Sequence, residues 1–381
     1  MHVKGYGAPE TKVAANHARS LIEIAEALGE PPEDPLLLFS VLYGFWVVNV
    51  AAFNGDAARE LAAQFLALAE GQRTTGPLML AHRMMGMTMM STGDLADGRA
   101  HLDRALALYD PAEHRALATR FGTDARIAIL EWRSRTLWLQ GYPDAALKDV
   151  DDSFRGAREI GQAATLMHAL AHSTASLILC GDYSAASVRA QELVVLAEEK
   201  GSLYWKANAM MWQGCVSGLS GRAAEAIEIL TPALAAYRST GATFYTPFVS
   251  LHLACACAEL GQARDALHHI DEAMTTAAKT KEKWVEAEIH RSAGEIALML
   301  PEPDATEAGA CFERALVVAR EQKAKSWELR TAMSLARLWR DQGKQQAAHD
   351  LLASAYGWFT EGFDTLDLKE AKALLDRLGS A

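Results

Sequence analysis

An apolar stretch, a glycine, and then a helical stretch with small residues at fixed offsets recur about every forty positions along this 381-residue chain. Self-similarity at such a period restricts the fold to stacked repeats, because one short unit cannot bury its own apolar face. The segments LQGYPDAALKDV, LCGDYSAASVRA, LSGRAAEAIEIL, LGQARDALHHID and QGKQQAAHDLLA set Gly141, Gly181, Gly221, Gly261 and Gly343 in one column. Pro303 fills the gap before the last, and the steps are 40, 40, 40, 42 and 40. Upstream, Gly93 lies 48 positions before Gly141, and Gly55 lies 38 before Gly93.

Small residues follow five places on at Gly98, Ala146, Ala186, Ala226, Ala266, Ala308 and Ala348. Alanines follow twelve places on at Ala105, Ala233, Ala273, Ala315 and Ala355, with Ser153 and Leu193 interrupting that second column. Each unit reads as a helix–turn–helix: glycine supplies the left-handed residue that ends the first helix, and the small residues let the second helix approach it closely. Aromatic residues open several first helices, at Trp205, Tyr245, Trp284 and Trp327. They either pack against the turn of a neighbouring unit or line the concave groove of the superhelix.

Residues 36–53 (LLLFSVLYGFWVVNVAAF) carry no charge and reach the length of a membrane span. Their place in the repeat argues for a buried first helix instead, covered by the helices before and after it. Residues 11–28 read as the second helix of a partial first repeat, as though the chain began partway through an array. The long step comes from the irregular stretch 110–124 (DPAEHRALATRFGTD), expected to project as a loop or an extended helix.

The formal net charge of −11 repels phosphate backbones, so nucleic acid is excluded as the main partner. Five cysteines at irregular spacing give no disulfide framework, and residues 1–12 lack the apolar core of a signal peptide, which together suit a cytoplasmic setting.

These repeats resemble the tetratricopeptide repeat with lengthened units. More narrowly, residues 101–132, 282–298, 324–344 and 356–378 look like the C-terminal repeat region of bacterial signalling proteins in which a class III adenylate/guanylate cyclase domain and an AAA/STAND-type ATPase domain precede the array. The expected fold is an all-α, tetratricopeptide-like right-handed superhelix (an α-solenoid) of about 7–8 helical hairpins with ~40-residue repeats. Residues 1–381 form one array, with 1–30 a partial first repeat and 364–381 a capping helix. In that family the other domains hold the catalysis, and this chain has neither a GxxxxGK[ST] loop nor the paired aspartates of a cyclase. The resemblance implies a sensing or partner-binding role.

No catalytic constellation emerges, so no enzyme, cofactor or metal is expected. The pair His168 and His172 shares one helix face but lacks the glutamate of HExxH. His252, Cys255 and Cys257 do not converge on a helix, and the methionines between Met79 and Met90 suit an irregular core. Candidate partner-binding residues are Trp205, Tyr245, Trp284, Glu286, His290, Trp327, Arg330 and Arg337 in the groove, and His114, Arg120 and Asp124 at the insertion. Expected partners are a protein or peptide in the groove, the cyclase or ATPase domains of a parent chain, or a second copy of the array. A metabolite enclosed by the same groove is the alternative, and no membrane is expected.

Overall fold

The computed structural model describes residues 35–71 and 74–379, so the expected partial first repeat lies outside the described residues. The chain is all-α throughout what is described. Eight helical hairpins follow one another: Pro35–Ala51 with Gly55–Glu70, Thr75–Ser91 with Leu95–Leu108, Ala125–Leu139 with Pro143–Ile160, Ala163–Cys180 with Tyr183–Glu199, Leu203–Leu219 with Ala223–Ser239, Thr246–Glu259 with Ala263–Thr280, Glu286–Met299 with Ala305–Glu321, and Lys325–Asp341 with Gln345–Tyr356. The helix Leu366–Gly379 follows the last hairpin.

First and second helices are buried differently. The second helices bury a narrow stripe; Ala263–Thr280, for example, covers only Ala266, Ile270, Ala273 and Ala277. That stripe is the small-residue column, and it brings backbones together. At the crossing of Thr75–Ser91 with Leu95–Leu108, a Cβ on Gly98 would lie 2.9 Å from the Met90 nitrogen, which no larger residue tolerates. The first helices are covered on most sides. Ala163–Cys180 is long and apolar enough to cross a membrane by length and composition, yet 83% of it is buried inside the molecule. Pro35–Ala51 buries Phe39, Leu42, Tyr43, Phe45 and Trp46, packs on Gly55–Glu70, and leaves Leu37 half exposed.

The turn chemistry is uniform. The residue after each column position donates its N–H five residues back, as Asp182 does to the Leu177 carbonyl and Arg222 to the Ser217 carbonyl, closing the helix end in a Schellman arrangement. Gly141, Gly181, Gly221, Gly261 and Gly343 have φ between +72° and +86°. Two positions depart from the sequence reading. In the first hairpin the equivalent bond runs from Asn54 N–H to the Asn49 carbonyl, so Phe53, not Gly55, occupies the column, and the step to Gly93 is 40 like the others. Gly55 is glycine for another reason: a Cβ there would sit 2.9 Å from Lys281 Cβ. In the seventh hairpin the bond runs from Asp304 N–H to the Ala297 carbonyl. Two extra turn residues around Pro303 therefore account for the 42-residue step.

Residues 110–124 do not project. They form the short helices Pro111–His114 and Ala118–Phe121 joined by a 3₁₀ turn, Arg115–Leu117. Phe121 meets the Tyr43 ring edge-on at 5.1 Å, and His114 is buried against Gly76. The insertion folds back because it carries apolar side chains that Pro35–Ala51 and Thr75–Ser91 can cover.

The winding decides everything that follows. The last carbonyls of a helix lack partners within it. Here the ends of the early first helices find donors much later in the chain. Thr243 and Phe244 N–H donate to the Ala51 carbonyl at 2.8 and 3.1 Å, and Lys283 N–H donates to the Ser91 carbonyl at 2.9 Å. The Ser326 hydroxyl donates to the Trp138 carbonyl, 188 residues earlier, and Arg330 Nη2 donates to the Leu179 carbonyl at 2.9 Å. One superhelical turn therefore takes somewhat under five hairpins, and the second turn rests directly on the first.

Candidate functional site

The aromatic column lies in this seam rather than in an open groove. Tyr245, Trp284 and Trp327 each follow a residue or two after the donors that cap the preceding turn, and all three are buried. Trp327 packs edge-on against Trp138 at 4.7 Å and donates Nε1–H to the Trp284 carbonyl at 2.8 Å. Trp284 stacks on Phe248 at 5.5 Å. Of the two readings open at the sequence level, packing against a neighbouring unit describes Trp284 on Phe248 and Trp327 on the Trp284 carbonyl, and Trp327 in addition meets Trp138 of the preceding superhelical turn.

Arg330 lies between the faces of Trp138 and Trp327, at 5.0 and 5.2 Å, with Nε on both Asp367 oxygens at 2.9 Å. Arg337 is half-buried and pairs with Glu370 at 3.5 Å. Glu286 and His290 stand apart from both arginines, on a surface cleft of about 340 Å³ shared with Lys281 and Lys283 over Met274 and Ile289. At the insertion, Asp124 is buried and caps the Ala125–Leu139 helix through Ile127 N–H while accepting from Tyr109 Oη at 2.9 Å. His114 Nδ1 accepts from Asp110 N–H, and Arg120 is exposed at the surface. The eleven candidates thus fall in several places and do not form one site.

A different set converges. Between the first superhelical turn and the Phe244–Tyr245 segment lies a cavity of about 50 Å³, walled by Tyr43, Trp46, Arg83, His168, Trp205 and Phe244, with Trp132 and His172 beside them. Trp205 alone of the candidates lines it. Arg83 is 3% exposed; its Nη1 donates to Tyr43 Oη at 2.9 Å, and its Nε is buried without a partner. Deeper in, Arg135 is 0% exposed, stacked on Trp132 at 4.8 Å and Tyr245 at 5.1 Å, with Nε and Nη2 unpartnered.

Tyr245 joins the two halves. It accepts from Arg135 Nη1 at 2.6 Å and meets His172 Nδ1 at 2.9 Å. Burial and then the charges nearby hold His172 well below the usual imidazole range, so this contact joins a neutral ring to the tyrosine hydroxyl. Desolvation and then Arg83 push His168 down in the same way. Its ring lies 4.2 Å from that of His172, and its Nδ1 is unpartnered. To hold this position Tyr245 adopts φ +70°, a left-handed conformation that is uncommon outside glycine.

Two buried acids lie near Arg135 without forming an ion pair with it. Glu282 Oε1 accepts from Trp284 Nε1 at 2.9 Å and Tyr245 N–H at 3.2 Å, and burial pushes its carboxyl up to about 8. Glu131, buried near Arg135 and hydrogen-bonded by the Ser153 hydroxyl, is likewise raised by desolvation to about 8. A group raised on folding contributes stability that is full below its unfolded value, here 4.5, and is lost as pH rises toward 8. Glu131→Gln, which mimics the neutral acid, is therefore expected to match the parent near pH 4.5 and to exceed it above pH 8 by at least about 1 kcal/mol. Melting curves across pH check this, and parallel profiles contradict it.

Sequence reasoning noticed His168 and His172 but passed over Arg83 and Arg135. Their signal was a basic residue inside an otherwise apolar first helix, in AHRMMG and in EWRSRTLWL.

No family model matches the chain, and none of the curated proteins does. Among solved structures, a Rap protein complexed with Competence and Sporulation Factor is 13% identical, with 98% of each chain covered and a TM-score of 0.57. The Cut9–Hcn1 hetero-tetramer of the APC/C is 11% identical over 89% of this chain and 55% of that one, at 0.53. A signal transduction ATPase with numerous domains and a tetratricopeptide repeat sensor, from Pyrococcus horikoshii, is 12% identical over 97% of this chain and 54% of that one; its TM-score of 0.42 is too loose to carry an argument. The fold is a tetratricopeptide-like superhelix. At these identities the likeness extends to the fold alone.

Proposed function

We propose that this chain is a non-catalytic helical-repeat scaffold that binds a protein or peptide partner, and that recognition centres on the chamber beside Arg83, His168 and Trp205. What carries this reading is a single observation: the guanidiniums of Arg83 and Arg135 are buried behind aromatic walls with no ion-pair partner among the described residues. Such an arrangement is unfavourable in an isolated core and favourable where a partner completes it. The Rap protein of similar fold is described with Competence and Sporulation Factor in complex, which suits a superhelix holding a partner. The resemblance to repeat regions that follow cyclase and ATPase domains suits a sensor within a longer signalling chain, where partner binding would bias the other domains.

Panning a phage-displayed random peptide library against the chain tests this. Saturable one-to-one binding is expected from selected peptides. Trp205→Leu should weaken it about tenfold or more, as loss of a buried aromatic anchor does. Peptides that bind the variant equally well move the site elsewhere, and a library that yields no specific binder sinks the reading.

A further inference from the structure

We infer that the chamber takes a carboxylate, held by Arg83 at its wall and by the charge of Arg135 behind it, on a ligand whose apolar or aromatic body lies against Trp132 and Trp205. This deepens, and rests on, the reading of the chamber as the recognition point.

The contrast with other arginines of the same chain carries the inference. Arg133, two residues from Arg135, is given both Asp103 and Asp149. Arg291 is given Glu288 and Glu295, and Arg330 is given Asp367. Arg83 and Arg135 have no ion-pair partner among the described residues, and they are more deeply buried than any of these. Arg83 and His168 both line the cavity, and Arg83 Nε and His168 Nδ1, like Nε and Nη2 of Arg135, are buried without a partner. Arg83 lines the cavity with Arg135 behind it, while burial lowers His168 and His172 and raises both Glu131 and Glu282 near Arg135, so an anion is favoured in these surroundings of low dielectric.

The shape narrows the anion. A guanidinium edge presents parallel N–H donors that match the two oxygens of a carboxylate. A cavity of about 50 Å³ has room for one such group, and its open side leaves the rest of the ligand to lie along the aromatic wall toward solvent. The remaining wall is aromatic, which suits a planar or apolar body and offers no ring of backbone N–H groups of the kind that cradles phosphate. The carboxylate could come from a small aromatic acid or from a peptide, and the experiment separates the two.

Three tryptophans line the chamber, so intrinsic fluorescence reports its occupancy. Titration of the chain with 3-phenylpropionate is expected to give saturable quenching and a raised melting temperature. The uncharged 3-phenylpropanamide should bind at least about tenfold more weakly, the loss expected when a charge-assisted hydrogen bond is removed. Arg83→Met should abolish the preference for the acid while melting at or above the parent temperature without ligand, since it removes a buried unpaired charge. A merely structural arginine would lower it.

Equal binding of acid and amide overturns the inference. So does an Arg83→Met variant that still prefers the acid, or competition by inorganic phosphate that surpasses the acid. Should that variant not fold, the acid–amide comparison on the parent chain decides alone. For the selected peptides, loss of binding on C-terminal amidation assigns the carboxylate to the chain end. Loss only on Asp→Asn or Glu→Gln changes assigns it to a side chain. Peptides that bind tightly and are indifferent to both, alongside inert small acids, remove the carboxylate and leave the scaffold reading standing.

Discussion

Trp327→Ala is expected to lower stability by about 3–5 kcal/mol, the usual loss when a fully buried tryptophan is truncated and its site cannot collapse. The indole is 0% exposed, and its neighbours belong to distant parts of the chain. Trp138 meets it edge-on from the preceding superhelical turn, Trp284 accepts its Nε1–H from the adjacent hairpin, and the Arg330 guanidinium lies 5.2 Å from its ring. Truncation therefore opens a void between turns, not merely between helices. Denaturant titration should show a lower midpoint, and hydrogen exchange should speed up in Ala125–Leu139 as well as in Lys325–Asp341. Fast exchange confined to the variant's own hairpin would mean that the turns do not depend on each other.

Arg330→Met should be comparably damaging near neutral pH, again about 3–5 kcal/mol, because it strands Asp367 in a mostly buried site. Asp367 is already raised from the ordinary aspartate range by desolvation, with Arg330 pulling it back down. Without that guanidinium the carboxyl rises further. A raised carboxyl favours the fold at low pH and opposes it as pH climbs, so the deficit of the variant should shrink toward pH 4 and widen toward pH 7. The double change Arg330→Met with Asp367→Leu should recover much of the loss, since neither charge then remains unanswered. If the double variant is as unstable as the sum of the two, the pair contributes through packing alone.

The repeat period, the turn glycines and the alanine stripe were all legible in the residues, because each depends on neighbours within one hairpin. What failed to show was anything set by the pitch of the superhelix. Gly55 read as a turn residue because it is a glycine near the right place. Its actual constraint is Lys281, more than two hundred positions away, which no local pattern contains. Tyr245, Trp284 and Trp327 were visible as a register, but neither account of them foresaw contacts with the preceding superhelical turn. Small rotations from hairpin to hairpin accumulate until the second turn meets the first, and that sum cannot be taken from one unit. The chamber suffers from the same blindness: Arg83, Arg135 and Tyr245 sit on three separate hairpins, and the two arginines looked like ordinary charges until the winding enclosed them. The insertion at 110–124 was misjudged for a simpler reason, since Phe121 and His114 had no visible surface to cover until Tyr43 and Gly76 were placed opposite them.

The carbonyls of Ala51, Ser91, Trp138 and Leu179, each answered by a donor from the coil above, also set how the molecule bears load. An open solenoid stretches like a spring, each unit yielding slightly to its neighbour. Here the first coil is stitched to the second at four points, so the structure resists extension as a braced column does. Pulled from its two ends, it should hold nearly its full length until a stitch line parts, and then lengthen abruptly rather than unspool one hairpin at a time.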